Sequence, residues 1–455
     1  MGKRNEELHL GAFIYYSGHH HAGWRHPGSA VEKMFDINFY KQLALTAERG
    51  KFDMMFLADL LYVHTQQVEK SASGMLDPLT LLSALSTVTE KLGLTATVST
   101  TYNVPYDVAR KFASLDMISS GRAGWNIVTS QLDIEAYNYG KKGHPEHSLR
   151  YEMAREFVEV VTRLWDSWED DALILDREAG RFADPSKVKQ VDYKGKWHST
   201  KGPLNVPRPP QGYPVLIQAG SSEAGQNFAA QYGEVIFTAQ QSLLEAKAFY
   251  ENVKSKLNQY GRNTNSLKIM PGLSPVIAAT EEEAWRKHKE LQELILPEVA
   301  VAVISGFLNY DLSKYPIDGP LPENIPDPVA ASNGMKSRVK LFMDMAYKEK
   351  LSILELGRKI LGARGHLQFV GTYEQLVGFM EQWFNEYACD GFNIMPPILP
   401  AGLEEFVDHV IPLLQKRGLF RKEYEGITLR EHLGLERPAN GHFLRNEHLG
   451  KITHF

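Results

Sequence analysis

Short apolar runs along the chain alternate with longer segments whose apolar residues recur every three or four positions. The first run, LGAFIYY (Leu10 to Tyr16), reads as a buried strand, and INFYKQLALTAERG as a helix closed by Gly50. Strand FDMMFLAD and helix DPLTLLSALSTVTEKLG follow, with Asp77 at the cap and Pro78 at the first helical position, the placing each favours. Strand LTATVSTTY then precedes helix PYDVARKFASLDMISSG, and strand AGWNIVTS precedes helix SLRYEMAREFVEVVTRLWDSW. Here the rhythm breaks. Glu169 to Gly212 is polar, ends in GPLNVPRPPQG, and reads as an insertion with a hairpin. Strands PVLIQAG, EVIFTA and KIMPGLSPVIAA resume the alternation, each with a helical segment after it. A second insertion, from about Leu296 to His366, holds YPIDGPLPENIPDP and a helical part near SRVKLFMDMAYKEKLSILELGRKI. Helix TYEQLVGFMEQWFNEYAC, strand GFNIMPP and helix GLEEFVDHVIPLLQKRG complete the pattern before a polar tail.

Eight strands, each followed by a helix, predict a parallel sheet, because parallel neighbours need crossover connections. Eight such units predict an α/β fold of the (β/α)8 TIM-barrel type with long insertions. The chain reads as a single domain over residues 1–455, with insertions at approximately 169–212 and 296–366. A doubly wound open sheet has the same alternation and is the alternative. Composition agrees with a large core: 455 residues, 43% of them apolar. A net charge of −5, spread along the chain, leaves no basic footprint for nucleic acid. The single cysteine, Cys389, excludes an intramolecular disulfide and fits a reducing compartment. The opening MGKRNEELHL lacks the apolar core of a signal peptide, and no apolar run approaches the roughly 18 residues a membrane span needs. These readings predict a soluble cytoplasmic protein that binds neither nucleic acid nor membrane.

In a barrel of this kind the chemistry sits at the C-terminal ends of the strands. The first loop, GHHHAGWRHP, carries His19, His20, His21 and His26. His19 and His21 have the spacing of a metal-dependent barrel hydrolase. Strands four to six, however, end in Ser, Thr, Gln and Gly, which are poor ligands, so no metal is expected. The plain alternative is that some of these histidines orient the loop; in extended chain, consecutive ones point in different directions. Strand seven is expected to present Ala278, Ala279 and Thr280 at the mouth. At strand five, QAGSSEAG (Gln218 to Gly225) ends in small residues where a helix begins. Free backbone N–H groups and the helix dipole favour an anion there. An ordinary N-cap at Ser221 or Ser222 is the alternative. The mouth offers Thr97, Ser99, Asn126 and Thr129 as neutral polar groups, with Phe56, Tyr102, Trp125 and Phe237 as flat walls or core. A phosphate site beside an uncharged mouth suits flavin mononucleotide better than a sugar phosphate. The few charges at the strand ends favour an apolar or sulfur-containing substrate over a polycarboxylate.

Taken together, GHHHAGWRHP, KFDMMFLAD, STTYNVPYDVARKFASLDMISSGRAGWNIVTS, PEHSLRYEMAREF, QAGSSEAG, DGFNIMPPILP and VIPLLQKRGLFRKEYEGITLREHLGL resemble one branch of the bacterial luciferase-like flavin-dependent monooxygenases. This is the branch of the nitrilotriacetate, dibenzothiophene-sulfone and long-chain-alkane monooxygenases, and the likeness runs from about Leu8 to Pro438. The resemblance implies an FMNH2-dependent monooxygenase, the oxygenase component of a two-component system. A separate NAD(P)H-dependent flavin reductase would supply FMNH2, and one oxygen atom of O2 would enter a small organic substrate through a C4a-hydroperoxyflavin. It implies a homodimer or homotetramer. It places FMN contacts on Asp59 and Thr97 near the ring, on His147, Tyr151, Ser221 and Ser222 around the phosphate and ribityl chain, and on Ser130. His147 and Tyr151 stand four apart where a helix begins, so both can face one ligand. The catalytic histidine of the first loop falls on His19, with His21 in reserve. Several relatives carry a second active-site histidine in the late insertion, and the matching stretch VISGFLNYDLSKYP has none. That insertion is expected to cover the mouth. A deazaflavin-dependent reductase of the same superfamily and a non-catalytic flavin-binding partner protein are the alternatives.

Overall fold

The eight apolar runs are eight strands: β1 His9–Ile14, β2 Met54–Leu57, β3 Gly93–Ser99, β4 Ala123–Val128, β5 Val215–Ala219, β6 Val235–Thr238, β7 Lys268–Ala278 and β8 Gly391–Ile394. The computed structural model that shows them describes residues 4, 6–65, 67–326 and 336–441. All eight pair in parallel in the order β6-β5-β4-β3-β2-β1-β8-β7, and β6 pairs with β7 to close the ring. Closure excludes the open doubly wound sheet. Every residue of β3 and β7 is buried, which is why these strands read as continuous apolar runs without alternation.

Several of the crossover helices begin where side chains cap them. Asp36 accepts from the Asn38 N–H at the start of α1 (Ile37–Arg49), and Asp77 from the Thr80 N–H at the start of α2 (Pro78–Leu85). Helix α3 (Pro105–Ile118) packs on α4 (His147–Trp165), and Phe112, Trp125, Phe157 and Trp165 meet between them and β4. Inside the barrel, Phe13, Phe56 and Phe237 form a floor near the strand C-termini. Phe13 meets Phe56 edge-on at 4.8 Å and Phe237 at 5.3 Å.

Between α4 and β5 the chain carries two short antiparallel pairs, Leu173–Asp176 with Arg181–Ala183 and Tyr193–Lys194 with Ser199–Thr200. The second insertion folds as helices around its own apolar cluster, which includes Ile304, Leu312, Phe342, Leu356 and Ile360. Part of its Pro-rich stretch lies outside the described residues. Its long helical stretch is broken in two, Lys336–Glu349 and Ile353–Ala363. Lys350 adopts φ 53°, and Ser352 with Glu355 forms a capping box that starts the second helix.

Two features differ from expectation. The chain adds a strand, Leu367–Thr372, beside the second half of β7, from Leu273 opposite Leu367 to Ala278 opposite Thr372. Strand β7 therefore runs on past the barrel: its first residues pair with β6 and its last six with the added strand. Ala278, Ala279 and Thr280 consequently lie beyond the mouth. Thr280 caps the helix Glu281–Glu293, its hydroxyl accepting from the Glu283 N–H at 3.3 Å. Among the described residues, no single helix is long and apolar enough to cross a membrane.

Candidate active site

After β1 the chain turns through Tyr16 (φ 48°) and Gly18 (φ 135°). Glycine is required at 18, since a Cβ there would lie 2.2 Å from the Pro397 carbonyl oxygen. The turn drives His19 into the barrel end, where it is fully buried. Its Nε2 donates to the Phe13 carbonyl at 2.9 Å, and its ring lies 4.5 Å from Phe13 and stacks 5.6 Å from Tyr15. A carbonyl only accepts, so the proton of the neutral ring sits on Nε2 and Nδ1 is a bare acceptor, buried without a partner among the described residues. Burial first, and the Arg364 guanidinium second, pull the pKa of His19 down to about 3.

The other histidines of the loop have separate environments. His20 is buried near His21, His288 and His26, and burial holds it at about 3. His21 shares a 2.9 Å hydrogen bond with the Ser71 hydroxyl and is likewise held at about 3, by burial and then Arg364. His26 Nδ1 accepts from the Gly28 N–H at 2.9 Å, and Arg25 donates to the Leu294 carbonyl; both hold the loop in place. Among the described residues, no group of three or more His, Cys, Asp or Glu side chains could hold a metal ion.

Across the mouth, α5 (Glu223–Tyr232) begins at Ser222, whose hydroxyl accepts from the Gly225 N–H at 3.2 Å. Ser221 Oγ and Thr238 Oγ1 hydrogen-bond at 3.0 Å. The small residues keep this ground open. A Cβ at Gly225 would stand 3.0 Å from the Tyr151 hydroxyl, and one at Gly220 2.8 Å from Gln218 Nε2. His147 opens α4, and its ring lies 5.0 Å from that of Tyr151. Ser130 adopts φ 57° and donates to Ser99 Oγ at 2.9 Å. Ser130, His147, Tyr151, Ser221 and Ser222 line one cavity of about 540 Å³.

Arg150 lines the same cavity, almost fully buried, donating to the Ser130 carbonyl and approaching His144 Nε2. Sequence reasoning does not reach it, because arginine on a helix reads as a surface residue. Its position three after His147, on the same face, is the signal that was available.

Toward the barrel axis, Thr97 Oγ1 donates to the Leu57 carbonyl at 2.7 Å and accepts from Asn126 Nδ2 at 2.8 Å. Asn126 Oδ1 and Gln218 Oε1 are buried without a hydrogen-bond partner among the described residues. Asp59, half-buried just past β2, is raised to about 6 by burial and then by Asp77. Thr97 and Asp59 stand at neighbouring strand ends and do not line the cavity of the serines.

The insertion also brings a second histidine. His366, at its very end, stacks on Phe237 at 4.9 Å, lines the cavity, and accepts from Arg338 Nη2 at 3.0 Å through Nε2. Burial, then Arg338 and His19, push it well below the ordinary histidine value. The stretch VISGFLNYDLSKYP indeed carries no histidine, but a residue about fifty positions later occupies the mouth. Only the return of the chain from its insertion puts it there.

Polar atoms buried without partners among the described residues gather at the strand ends beside a cradle of small residues, the end at which (β/α)8 barrels, the class this fold defines, carry their sites. Comparison with known proteins narrows the class: residues 12–321 match the family model of luciferase-like monooxygenases, and the chain belongs to that family. It is 52% identical over 441 residues to N-acetyl-S-(2-succino)cysteine monooxygenase of Bacillus subtilis (strain 168), covering 97% of this chain and 99% of that protein. It is 46% identical over 448 residues to nitrilotriacetate monooxygenase component A of Aminobacter aminovorans, covering 96% and 98%. The crystal structure of a riboflavin lyase with modified FMN and substrate riboflavin superposes with a TM-score of 0.82 at 33% identity, over 95% of this chain and 97% of that one. The protein is accordingly a flavin-dependent monooxygenase.

Proposed function

We propose that this protein is the oxygenase component of a two-component system. It takes FMNH2 from a separate NAD(P)H-dependent flavin reductase and inserts one atom of O2 into a small organic substrate. One observation carries the reading: Ser130, His147, Tyr151, Ser221 and Ser222, distant in sequence, share a cavity with the buried cation Arg150. Serine hydroxyls, the N–H groups opening α5 and a guanidinium suit a phosphate. The bare acceptors Asn126 Oδ1 and Gln218 Oε1, with Thr97 and Asp59 beside them, suit the N–H and carbonyl edges of a flavin ring. The solved relative with modified FMN supports the same cofactor.

Bound flavin supplies the oxygen-activating chemistry. The residues of this chain position it and keep the mouth dry, with Phe13, Phe56 and Phe237 as an apolar floor. His19, held neutral, accepts a hydrogen bond at Nδ1. His21, engaged with Ser71, stays second to it. The chain works as a homodimer or homotetramer.

The test compares flavins. FMN should bind at least about tenfold more tightly than riboflavin, which lacks the phosphate. Photoreduced FMN should support oxygen uptake and product formation. Turnover with reduced deazaflavin and not with FMN would make the protein a reductase, and equal affinity for FMN and riboflavin would remove the phosphate assignment.

A further inference from the structure

Two guanidiniums stand at the mouth that the cofactor reading does not use. Arg338, on the helix Lys336–Glu349, lines the cavity; it donates to the Arg364 carbonyl and to His366 Nε2. Arg364 follows the helix Ile353–Ala363, and its guanidinium carbon lies 4.2 Å over the ring of Tyr15, with Nε buried and unpartnered. Among the described residues, neither arginine has a carboxylate within ion-pair distance. Besides Arg338, the cavity wall carries the charged residues Arg150, Glu245, Lys340 and Asp344, and among the described residues neither carboxylate forms an ion pair with Arg338 or Arg364. His19 and His366, held neutral, add no negative charge. Burial first and Arg364 second lower even Arg338 to about 10, the mark of a cation lacking its counter-ion.

The backbone adds a second observation. Arg364 adopts φ 53°, a left-handed helix end that glycine or asparagine takes more readily than arginine. The main chain therefore gives no reason for arginine here. Two cations with no carboxylate partner among the described residues, one lining the cavity and one beside it, are arranged for an external anion.

Resting on the proposed function, we propose that Arg338 and Arg364 form a carboxylate-binding subsite, and that the substrate carries at least one carboxylate seated on these two guanidiniums. The subsite lies at the ends of β1 and β6, where Arg364 covers Tyr15 and Arg338 reaches the His366 ring that stacks on Phe237. The serine cradle lies on the turn from β5 into α5. The expectation of an apolar or sulfur-containing substrate over a polycarboxylate rested on uncharged strand ends. The charge comes instead from the insertion.

The test uses the full chain saturated with FMN and measures binding calorimetrically. The probes are glutarate, citrate and the neutral analogue glutaramide. Glutarate or citrate should bind saturably, and glutaramide at least tenfold more weakly. Arg364→Asn, which suits the left-handed backbone, should weaken carboxylate binding tenfold or more, and Arg364→Lys should restore part of it. Arg338→Gln should act in the same direction. FMN affinity should change less than twofold in every variant. The proposal is overturned if glutarate and glutaramide bind alike, if no carboxylate binds the wild type, or if the variants keep full carboxylate affinity. It is also overturned if FMN affinity falls with carboxylate affinity, since the arginines would then serve the flavin phosphate. A protein that binds carboxylates through both arginines but no flavin would overturn the cofactor reading and leave the subsite standing.

Discussion

Asp53 and Asp59 flank the same strand, β2, and meet opposite conditions. Asp53, at the N-terminal end, is fully buried and receives Arg421 Nη2 at 2.6 Å, His9 Nδ1 at 3.1 Å and the Leu10 N–H at 2.6 Å. Burial would raise it, but Arg421 and His9 outweigh burial and hold it below the ordinary carboxylate value. Asp59, past the C-terminal end, has no such cation, and burial followed by Asp77 lifts it to about 6. The contrast extends around the barrel. At the N-terminal end, Asp390 meets Arg4, Lys254 and the Ile269 N–H at 2.9–3.0 Å. There Arg430 pairs with both oxygens of Glu234, at 2.6 and 2.8 Å. At the mouth, among the described residues, Arg338 and Arg364 pair with no carboxylate, and His19 Nδ1, Asn126 Oδ1 and Gln218 Oε1 have no partner. One end buries charge that the chain itself neutralises and so holds the strands together. The other leaves polar groups for a ligand to satisfy.

The largest effect should follow from removing the bare acceptor at the mouth. His19→Ala should lower product formation about 10²–10⁴-fold, keep FMN affinity and release the consumed oxygen as hydrogen peroxide. A reductase-coupled assay scoring product and peroxide reads this directly, and an equal loss in His21→Ala would reassign the role. At the other end, Asp53→Ala should cost about 3–5 kcal/mol of unfolding free energy, because Arg421 is left buried without its partner. Asp59→Asn, which removes a charge the fold disfavours, should leave denaturant stability at or above wild type. If both aspartates weigh alike in folding, the two ends of the barrel do not differ as argued.

Smaller effects sharpen the same contrast. Ser221→Ala should weaken FMN binding by about 1.5–3 kcal/mol in equilibrium titration. Adding Ser222→Ala should also remove the cap of α5, at about 1 kcal/mol of stability. Acidification gives a change of similar size. His19 and His20 stay neutral in the fold down to about 3, whereas the unfolded chain takes up their protons near 6.5. Their contribution is therefore complete above 6.5 and is lost as pH falls through that value. Asp59, raised to about 6, has the opposite sign: its contribution is present in acid and lost as pH rises through 6. His21, also held at about 3, adds to His19 and His20 and outweighs Asp59, so unfolding free energy should fall by about 2 kcal/mol between pH 7 and pH 6. A melting temperature that rises over this interval would mean that the mouth does not hold its histidines neutral.

The order of strands and helices was legible in the chain because it is set locally. A strand buried on both faces must be an apolar run, as in LTATVS, and several helices begin where a side chain caps them, as at Asp36, Asp77 and Ser222. The small residues of QAGSSEAG and the four-residue spacing of His147 and Tyr151 are local features too. What sequence periodicity could not contain is which distant groups meet. Arg150 reads as a surface cation until α4 turns it against Ser130. His366, Arg338 and Arg364 read as parts of an insertion until the added strand Leu367–Thr372 locks onto the far half of β7 and returns the chain to the mouth. The protonated nitrogen of His19 depends on one carbonyl, that of Phe13, which the turn through Gly18 brings within 2.9 Å. Backbone periodicity and capping are properties of neighbouring residues. The charge and hydrogen-bonding state of a site belong to contacts between residues far apart in the chain, and only the closed barrel with its insertion makes those contacts.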